Sequence, residues 1–464
     1  MTWNKPPLAA GQAAIDTDHG RLRELGYKQE LKRHLSVLSN FSISFTVISV
    51  LTGVTTLYNT GLAFGGPATM TLGWFVVGAF TMAVGLFMAE ICSAFPTSGG
   101  LYYRSARLSG DRWAPFASWI TGWFNIVGQW AGTASIDFSL AQLIQVIVLL
   151  STGGNNGGGY LASKYVVFAF HAAILLSHAI INSLSITWLS FFGQFAALWN
   201  MLEGQAKFVF THFNTDNSAG IHSNLYIFVL GLLMSQYTLS GYDASAHMEW
   251  PIGIISAIGI SLIVGWGYIL GITFAVKDIS YLLSPDNDAG GYAIAEVFYL
   301  AFKYRYGNVV GGIICLWIVA IAIYLCGMGS MTSNSRMTYA FSRDGAMPFS
   351  SLWRKVNKLE VPINAVWLSA FISLCMALPY LGSLVTFRPG PGGGGGGPPP
   401  LTWIAVLWVA TITVLFSLPV SYPVTKDTLN YTPVAVGGLF TLVLLSWIVS
   451  AQHWFKGPIT NWGG

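Results

Sequence analysis

Charged residues are scarce in this sequence: 9% of its 464 residues are charged, and 53% are apolar. Soluble globular chains carry about 25% charged residues, so water is not the main solvent of this chain. Cysteine is also scarce, with four residues and no CxxC pair. This pattern argues against a disulfide framework, a zinc site or an iron–sulfur cluster. We therefore expect no metal site and no cofactor.

The motifs of several enzyme classes are missing as well. The sequence has no Walker-type phosphate loop, no HExxH pair and no GxSxG nucleophile turn. ATP-driven pumping and hydrolysis therefore have no basis in the sequence, and we expect a protein that is not an enzyme. The basic residues are spread through loops and form no stripe, so nucleic acid is not an expected partner.

Long apolar segments make up most of the chain. A helix needs about 20 apolar residues to cross roughly 30 Å of hydrocarbon, and about eleven segments are suitable. They cover residues 40–63, 68–91, 114–150, 165–183, 186–202, 225–247, 252–276, 308–330, 363–385, 401–420 and 432–451. The segments are continuously apolar, which favours helices over a barrel of alternating strands. The third segment is too long for one perpendicular span, so it is one strongly tilted helix or two helices.

The chain divides into a polar tail, residues 1–39, and one transmembrane domain, residues 40–464. More than half of the 22 basic residues lie in the tail and in segments 92–113 and 331–362. These segments share one side of the membrane if the first helix leaves the cytoplasm, which predicts a cytoplasmic N-terminus. Residues 389–400, PGPGGGGGGPPP, can neither form a helix nor pack a core, and we interpret them as a low-complexity spacer.

Three acidic residues fall within or at the edge of apolar segments: Glu90, Asp137 and Asp243. A charge at membrane depth costs at least about 2.5 to 3.5 kcal/mol, so each is a functional candidate. Glu90 is near a helix end and could simply reach the interface. For Asp137 a local bend or hydrogen bond is an equally good interpretation. Asp243 is more informative, because it lies in TLSGYDASAH, where Gly241 permits a break in the helix or a simple kink.

The first apolar segment has a similar interruption, SVLTGVTTLY, with Thr52, Gly53, Thr55 and Thr56 in its middle. A half-helix N-terminus there would offer N–H groups and about half a positive charge to a carboxylate. The alternative is that the threonines bond to their own helix and Gly53 allows close packing. Two interrupted helices predict one shared binding site.

His171 and His178 are seven residues apart on one face of the fourth segment. This spacing raises the alternative of a membrane haem protein. Haem ligation across a bilayer would require paired histidines on a second helix, and no other segment offers such a pair. We therefore interpret both as core histidines.

Three stretches resemble a known family: LGYKQELKRHLSVLSNFSISF at 25–45, MAEICSAFPTSGGLYYRSARL at 88–108 and SNSRMTYAFSRDGAMP at 333–348. They resemble the amino acid-polyamine-organocation superfamily. They are more similar to the plant bidirectional amino-acid transporters, GABA-permease-like proteins related to fungal choline and GABA permeases. The resemblance covers nearly the whole chain and implies an all-α, polytopic membrane protein with a leucine-transporter-like inverted-repeat fold of twelve helices.

The resemblance also implies site residues. Substrate would lie between the broken first and sixth helices, at Leu51, Thr52, Gly53 and Thr55 and at Ser240, Gly241, Tyr242 and Asp243. Gating or pathway residues would be Glu90, Pro96, Gly99, Gly100, Asn125 and Gln129. The implied function is secondary transport of amino acids such as GABA, alanine, glutamate, arginine or lysine by alternating access.

The sequence departs from this family in three places. The fifth helix ends abruptly at 199–208, an acidic stretch after 246–248 is reduced to EW, and the Gly/Pro tract replaces the tenth helix. Loss of one span would invert the last two helices, so we expect weak or absent transport. The alternatives are a truncated, non-transporting isoform and a choline or polyamine permease. Expected partners are an amino acid and the lipid bilayer, with proton coupling left open, and the plasma membrane is preferred over Golgi or mitochondrial membranes.

Overall fold

The computed structural model describes residues 37–95, 97, 99–184, 214–215, 219–242, 251–382, 400–419, 421–425 and 429–458. Several predicted features lie outside these residues: most of the polar tail, the fifth apolar segment, Pro96, Asp243 and almost all of the Gly/Pro tract. In the described ranges the secondary structure is helical, apart from one isolated bridge between Gly65 and Asn214. The all-α, polytopic membrane fold predicted from the sequence is confirmed.

The helices follow the apolar segments closely. In chain order they are α1 Val37–Ile48, α2 Val50–Ala63, α3 Gly66–Ala94, α4 Gly100–Leu108, α5 Gly110–Ser151, α6 Lys164–Asn182, α7 Asn224–Thr238, α8 Pro251–Thr273, α9 Ile279–Leu283, α10 Ala293–Tyr306, α11 Val310–Arg343, α12 Ser350–Trp353, α13 Ile363–Ala377, α14 Pro400–Leu415, α15 Thr432–Ser446 and α16 Gln452–Trp454. A short 3₁₀ segment, Leu378–Gly382, extends α13, and a π-helical turn, Trp447–Ala451, joins α15 to α16.

Seven helical stretches in the described part of the chain are long and apolar enough to cross a membrane. They are Gly66–Ala94, Gly110–Ser151, Lys164–Asn182, Ile252–Thr273, Val310–Arg343, Ile363–Leu381 and Thr432–Trp454. The third apolar segment is one helix of 42 residues, α5, and not two. Helices α1 and α2 together occupy the first apolar segment and are separated at Ser49.

Small residues let the helices of the bundle approach closely. A Cβ added at Gly265 of α8 would collide with the ring of Trp74 on α3, and one at Gly122 of α5 would collide with Phe341 on α11. Both aromatic rings are fully buried. Apolar side chains gain little by leaving lipid for protein, so membrane helices depend on this kind of close packing.

The last spanning stretch is an exception, because only 11% of its most apolar window is buried. Helix α15 packs against α5 and exposes Val434 and Leu442, and the π-helical turn that follows it exposes Val449. An apolar, exposed helix surface of this kind is suited to lipid.

The loop before α11 contains the helix α10. Asn59 of α2 holds this loop with two hydrogen bonds. Its Nδ2 donates to the carbonyl of Gly291 at 2.6 Å, and its Oδ1 accepts from the amide of Ala293 at 3.0 Å. At the far end of α5, the amide of Asn155 donates to the carbonyl of Asp288 at 3.0 Å. The loop is therefore anchored over the ends of both helices.

Candidate functional site

The first helical span is broken at Ser49, where the backbone has φ 29° and ψ 87°. A non-glycine residue in this region is uncommon and marks a local departure from the helix. The helix restarts at Val50, so the predicted residues Leu51, Thr52 and Gly53 form the first turn of α2. The break lies at the first residue of the predicted interruption SVLTGVTTLY, and Leu57, with φ −111° and ψ 15°, is a second departure from helical angles within it.

Hydroxyl groups satisfy one another around this break. Ser49 Oγ and Thr52 Oγ1 are 2.6 Å apart, and Thr56 Oγ1 donates to the carbonyl of Thr52 at 2.8 Å. Thr55 Oγ1 lies 3.2 Å from the hydroxyl of Tyr268 on α8. The break therefore coexists with the threonine back-bonding that the alternative interpretation proposed.

The second break follows α7. Its last helical residue is Thr238, and Gly241 has φ 88°, a conformation that side chains with a Cβ rarely adopt. Ser240 Oγ donates to the carbonyl of Tyr237 at 2.6 Å and so binds the end of its own helix. Tyr242 has a 3₁₀ conformation, and the described residues resume at Pro251, the start of α8.

The tertiary structure brings the two breaks together. A Cβ added at Gly53 would lie 2.5 Å from Thr238 Cα, and one at Gly241 would lie 2.7 Å from Val47 Cγ1. The start of α2 thus packs on the end of α7, and Gly241, three residues after α7, packs on the end of α1. We call this contact region, residues 47–53 with 237–242, the helix-break junction.

Neighbouring helices add polar contacts to the helix-break junction. The hydroxyl of Tyr237 lies 3.0 Å from Ser135 Oγ on α5. Cys326 Sγ on α11 donates to the carbonyl of Val47 at 3.3 Å. Neither Ser135 nor Cys326 was predicted from the sequence, since only their position opposite a helix break distinguishes them from ordinary core residues.

The residues of the junction differ in exposure. Leu51 and Thr52 are at most 3% exposed, as is the neighbouring Thr55, whereas Ser240 and Gly241 are half-buried. The first-helix side of the junction is therefore closed to solvent, and any opening lies toward the residues that follow α7.

The predicted gating residues lie elsewhere. Glu90 is exposed on α3, one turn before its end, and its role in gating stays a prediction. Gly99 and Gly100 lead into α4, with Gly100 at φ 57°. Tyr102 of α4 donates its hydroxyl to Asp344 Oδ2 at 2.7 Å, which ties this turn to the end of α11.

Asn125 and Gln129 contact each other on α5, where Gln129 Nε2 donates to Asn125 Oδ1 at 3.2 Å. Both are half-buried. Thr133, one turn further on, donates to the carbonyl of Gln129 and lies 2.8 Å from Ser330 Oγ on α11. This polar row leads along α5 toward Ser135 and the helix-break junction, and its role in a pathway stays a prediction.

Asp137 of α5 is paired with a histidine of the neighbouring helix. Its side chain is fully buried, and Oδ2 lies 3.2 Å from Nδ1 of His178 on α6, which is also fully buried. Sequence reasoning noticed both residues but did not pair them. His171 packs its ring against Phe138 with ring centroids 5.8 Å apart, as expected of a core histidine. Within the described ranges no group of three or more His, Cys, Asp or Glu residues could hold a metal ion.

Comparison with known proteins adds independent evidence. The profile of the amino acid permease family matches residues 35–388. The chain is 74% identical to an amino-acid permease BAT1 homolog of Oryza sativa subsp. japonica, with all of both chains covered. It is 62% identical to the amino-acid permease BAT1 of Arabidopsis thaliana, over 96% of this chain and 97% of the relative. It is 29% identical to the GABA-specific permease of Saccharomyces cerevisiae, over 96% of this chain and 86% of the relative.

The lengths of these alignments show where the chain differs from its relatives. The alignment with the rice protein extends over 520 positions, whereas the chain has 464 residues. The rice protein therefore contains segments for which this chain has no counterpart.

Proposed function

The chain belongs to the amino acid permease family, and we propose that it moves small amino acids, of the GABA, alanine, glutamate, arginine and lysine class, by alternating access. It is an integral, multi-pass membrane protein of a family of transporters, and not an enzyme. The observation that carries the proposal is the helix-break junction, where the breaks at Ser49 and Gly241 meet.

The chemistry of the junction suits a zwitterion. The N-terminus of a helix carries about half a positive charge and its C-terminus about half a negative charge. Helix α2 begins at the junction and α7 ends there. We assign the substrate carboxylate to the first turn of α2, at Leu51, Thr52 and Gly53, and the ammonium to the end of α7. Asp243, which lies outside the described residues, is proposed near the ammonium or the gate.

The same breaks supply hinges for alternating access. A helix interrupted at one residue can reorient its two halves without breaking the hydrogen bonds of either half. Ser49 and Gly241 are such residues, and both hinges touch the binding region. The yeast relative is named a GABA-specific permease, which makes GABA the first substrate to test.

Uptake into proteoliposomes tests the proposal. Labelled GABA, alanine, glutamate, arginine and lysine are offered singly, with choline and spermidine as competitors. Uptake of at least one amino acid, not competed by choline or spermidine, supports the proposal. Competition by choline or spermidine favours the permease alternative, and uptake of none of them by the chain would overturn transport as its function.

One variant pair tests the assignment of Thr52. Thr52→Val removes a hydroxyl with little change of shape. We expect the KM for substrate to rise about tenfold, because the loss of one hydrogen bond to the substrate costs about 1.4 kcal/mol. Thr56→Val, one turn later on the same helix, removes a hydroxyl that bonds its own backbone and is the matched control. Equal effects of the two substitutions on KM would contradict the assignment.

A non-transporting product is the second candidate, favoured by the missing segments. The resemblance places a tenth helix where the Gly/Pro tract stands, and α15 makes few contacts with the bundle. Such a product would pair with an intact carrier. Co-purification with the full-length relative, together with absent uptake by the chain alone, supports this candidate. Recovery of uptake when the relative's tenth helix is inserted would locate the defect.

The plasma membrane is the proposed location. Fractionation of cells that express a tagged chain would decide between it and the Golgi or mitochondrial membranes. Recovery of the chain in a Golgi or mitochondrial fraction alone would overturn this assignment.

A further inference from the structure

The Asp137 and His178 pair lies apart from the helix-break junction and has no assigned role. It joins the middle of α5 to α6 across 41 residues of sequence, with Oδ2 and Nδ1 3.2 Å apart and both side chains 0% exposed. Asp137 Oδ1 and His178 Nε2 are buried without a hydrogen-bond partner in the described part of the chain. Unpaired buried polar atoms are costly. Both ring nitrogens of His171 share this state, so the ion pair itself distinguishes Asp137 and His178.

Helix α11 makes room for the pair at a glycine. A Cβ added at Gly327 would collide with Asp137 Oδ1 and would come within 2.7 Å of His178 Cε1. The ring of Tyr324, one turn earlier, covers the imidazole with ring centroids 4.5 Å apart. The pair therefore occupies a pocket between three helices that excludes bulk water and leaves no space for a larger ligand at Gly327.

The pair is connected to both breaks by short runs of residues. On α11, Cys326 precedes Gly327 and donates to the carbonyl of Val47 at the end of α1. On α5, Ser135 is two residues before Asp137 and contacts Tyr237 at the end of α7. If a change of charge at the pair shifts α5 or α11, the contacts on both sides of the helix-break junction would therefore move with it.

We propose that Asp137 and His178 form a proton-binding site that is loaded and emptied during transport, so that movement of an amino acid is coupled to movement of a proton. This inference rests on the proposed function. The loaded pair holds one proton and has no net charge, whichever of the two groups carries the proton. Release of that proton leaves a carboxylate beside a neutral imidazole, with a net charge of −1 in a region of low dielectric. Such a charge favours a conformation that admits water.

Other titratable groups surround the pair and define the controls. Among the described residues on the packed elements they are His171 on α6, Tyr324 and Cys326 on α11, Cys375 on α13, Tyr380 in the 3₁₀ segment and Tyr237 on α7. Lys164 and Arg336 lie on α6 and α11, more than about two helical turns from the pair. His171 is the control: it is a fully buried histidine on the same helix that interacts electrostatically with Asp137 but makes no ion pair with it.

The test uses the whole chain in proteoliposomes, with GABA and alanine as probes. Asp137→Asn keeps the size of the side chain. His178→Asn is smaller than histidine but places an amide where Nδ1 was, so it can retain a hydrogen bond. Neither asparagine can bind the proton. We expect both variants to keep exchange of internal for external amino acid and to lose, about tenfold or more, the substrate-driven acidification reported by a trapped pH dye. His171→Asn should behave as the native protein.

Each outcome decides a separate question. Unchanged acidification in Asp137→Asn and His178→Asn, or an equal loss in His171→Asn, would overturn the proton site while transport stands. Absence of exchange in the unmodified chain would overturn the proposed function and the coupling with it. If a variant loses binding altogether, substrate affinity of the unmodified chain is measured from about pH 5 to pH 8, the range in which imidazole titrates. A change in substrate affinity that approaches tenfold per pH unit supports the proton site, and an affinity that does not depend on pH overturns it.

Discussion

Replacing Gly53 with alanine would force apart the two helices that meet at the candidate site. The added Cβ would lie 2.5 Å from Thr238 Cα and 2.5 Å from Thr238 Oγ1, whereas ordinary contacts of this kind begin at 3.4 Å. A backbone carbon cannot rotate away, so α2 and α7 must separate by about 1 Å in a closely packed interior. Overpacking of this kind costs about 1 to 3 kcal/mol.

Thermal unfolding in detergent and uptake in proteoliposomes would measure the effect. We expect Gly53→Ala to lower stability by about 1 to 3 kcal/mol and to abolish uptake. Gly132→Ala on α5 is the matched control, because a Cβ there has no atom within 4 Å. Alanine is the better helix former by up to about 1 kcal/mol, so this control should be neutral or stabilising. Native stability and uptake in Gly53→Ala would refute the close approach of α2 and α7.

Two further predictions concern the loop that covers α2. Burial raises the pKa of Glu296, outweighing the Ala289 amide and the Tyr281 hydroxyl that lower it. The contribution of this carboxyl to stability is therefore fully present below its pKa in the unfolded chain, and it is lost as pH rises through its pKa in the folded protein. Glu296→Gln should reduce this loss when unfolding temperatures are measured over a pH series. An unchanged dependence of unfolding temperature on pH would show that Glu296 is not its cause. Asn59→Ala removes both hydrogen bonds to the loop. The amides of residues 287–293 should then exchange hydrogen faster, by an amount that corresponds to about 1 to 3 kcal/mol of lost protection. Exchange at the native rate would show that other contacts hold the loop.

The first break illustrates how far sequence reasoning reaches. The run of threonines and a glycine correctly marked the middle of the first span as unusual. It did not identify Ser49 as the residue that leaves the helix, because Thr52 and Thr56 satisfy their hydroxyls within the helix. Which residue takes the unusual backbone angles depends on how α2 fits against α7, and a single helix's sequence does not contain that contact.

The sequence by itself determined membrane residence, the helical class and the family, since each follows from the length of apolar segments or from contiguous motifs. Only the tertiary structure decided that the two breaks meet, that α5 is one helix, and that Asp137 lies beside His178. Apolar periodicity acts along one helix, whereas pairing across helices depends on the packing of small residues such as Gly53 and Gly327 against their neighbours. That packing joins residues far apart in the chain, and so it had to be seen in three dimensions.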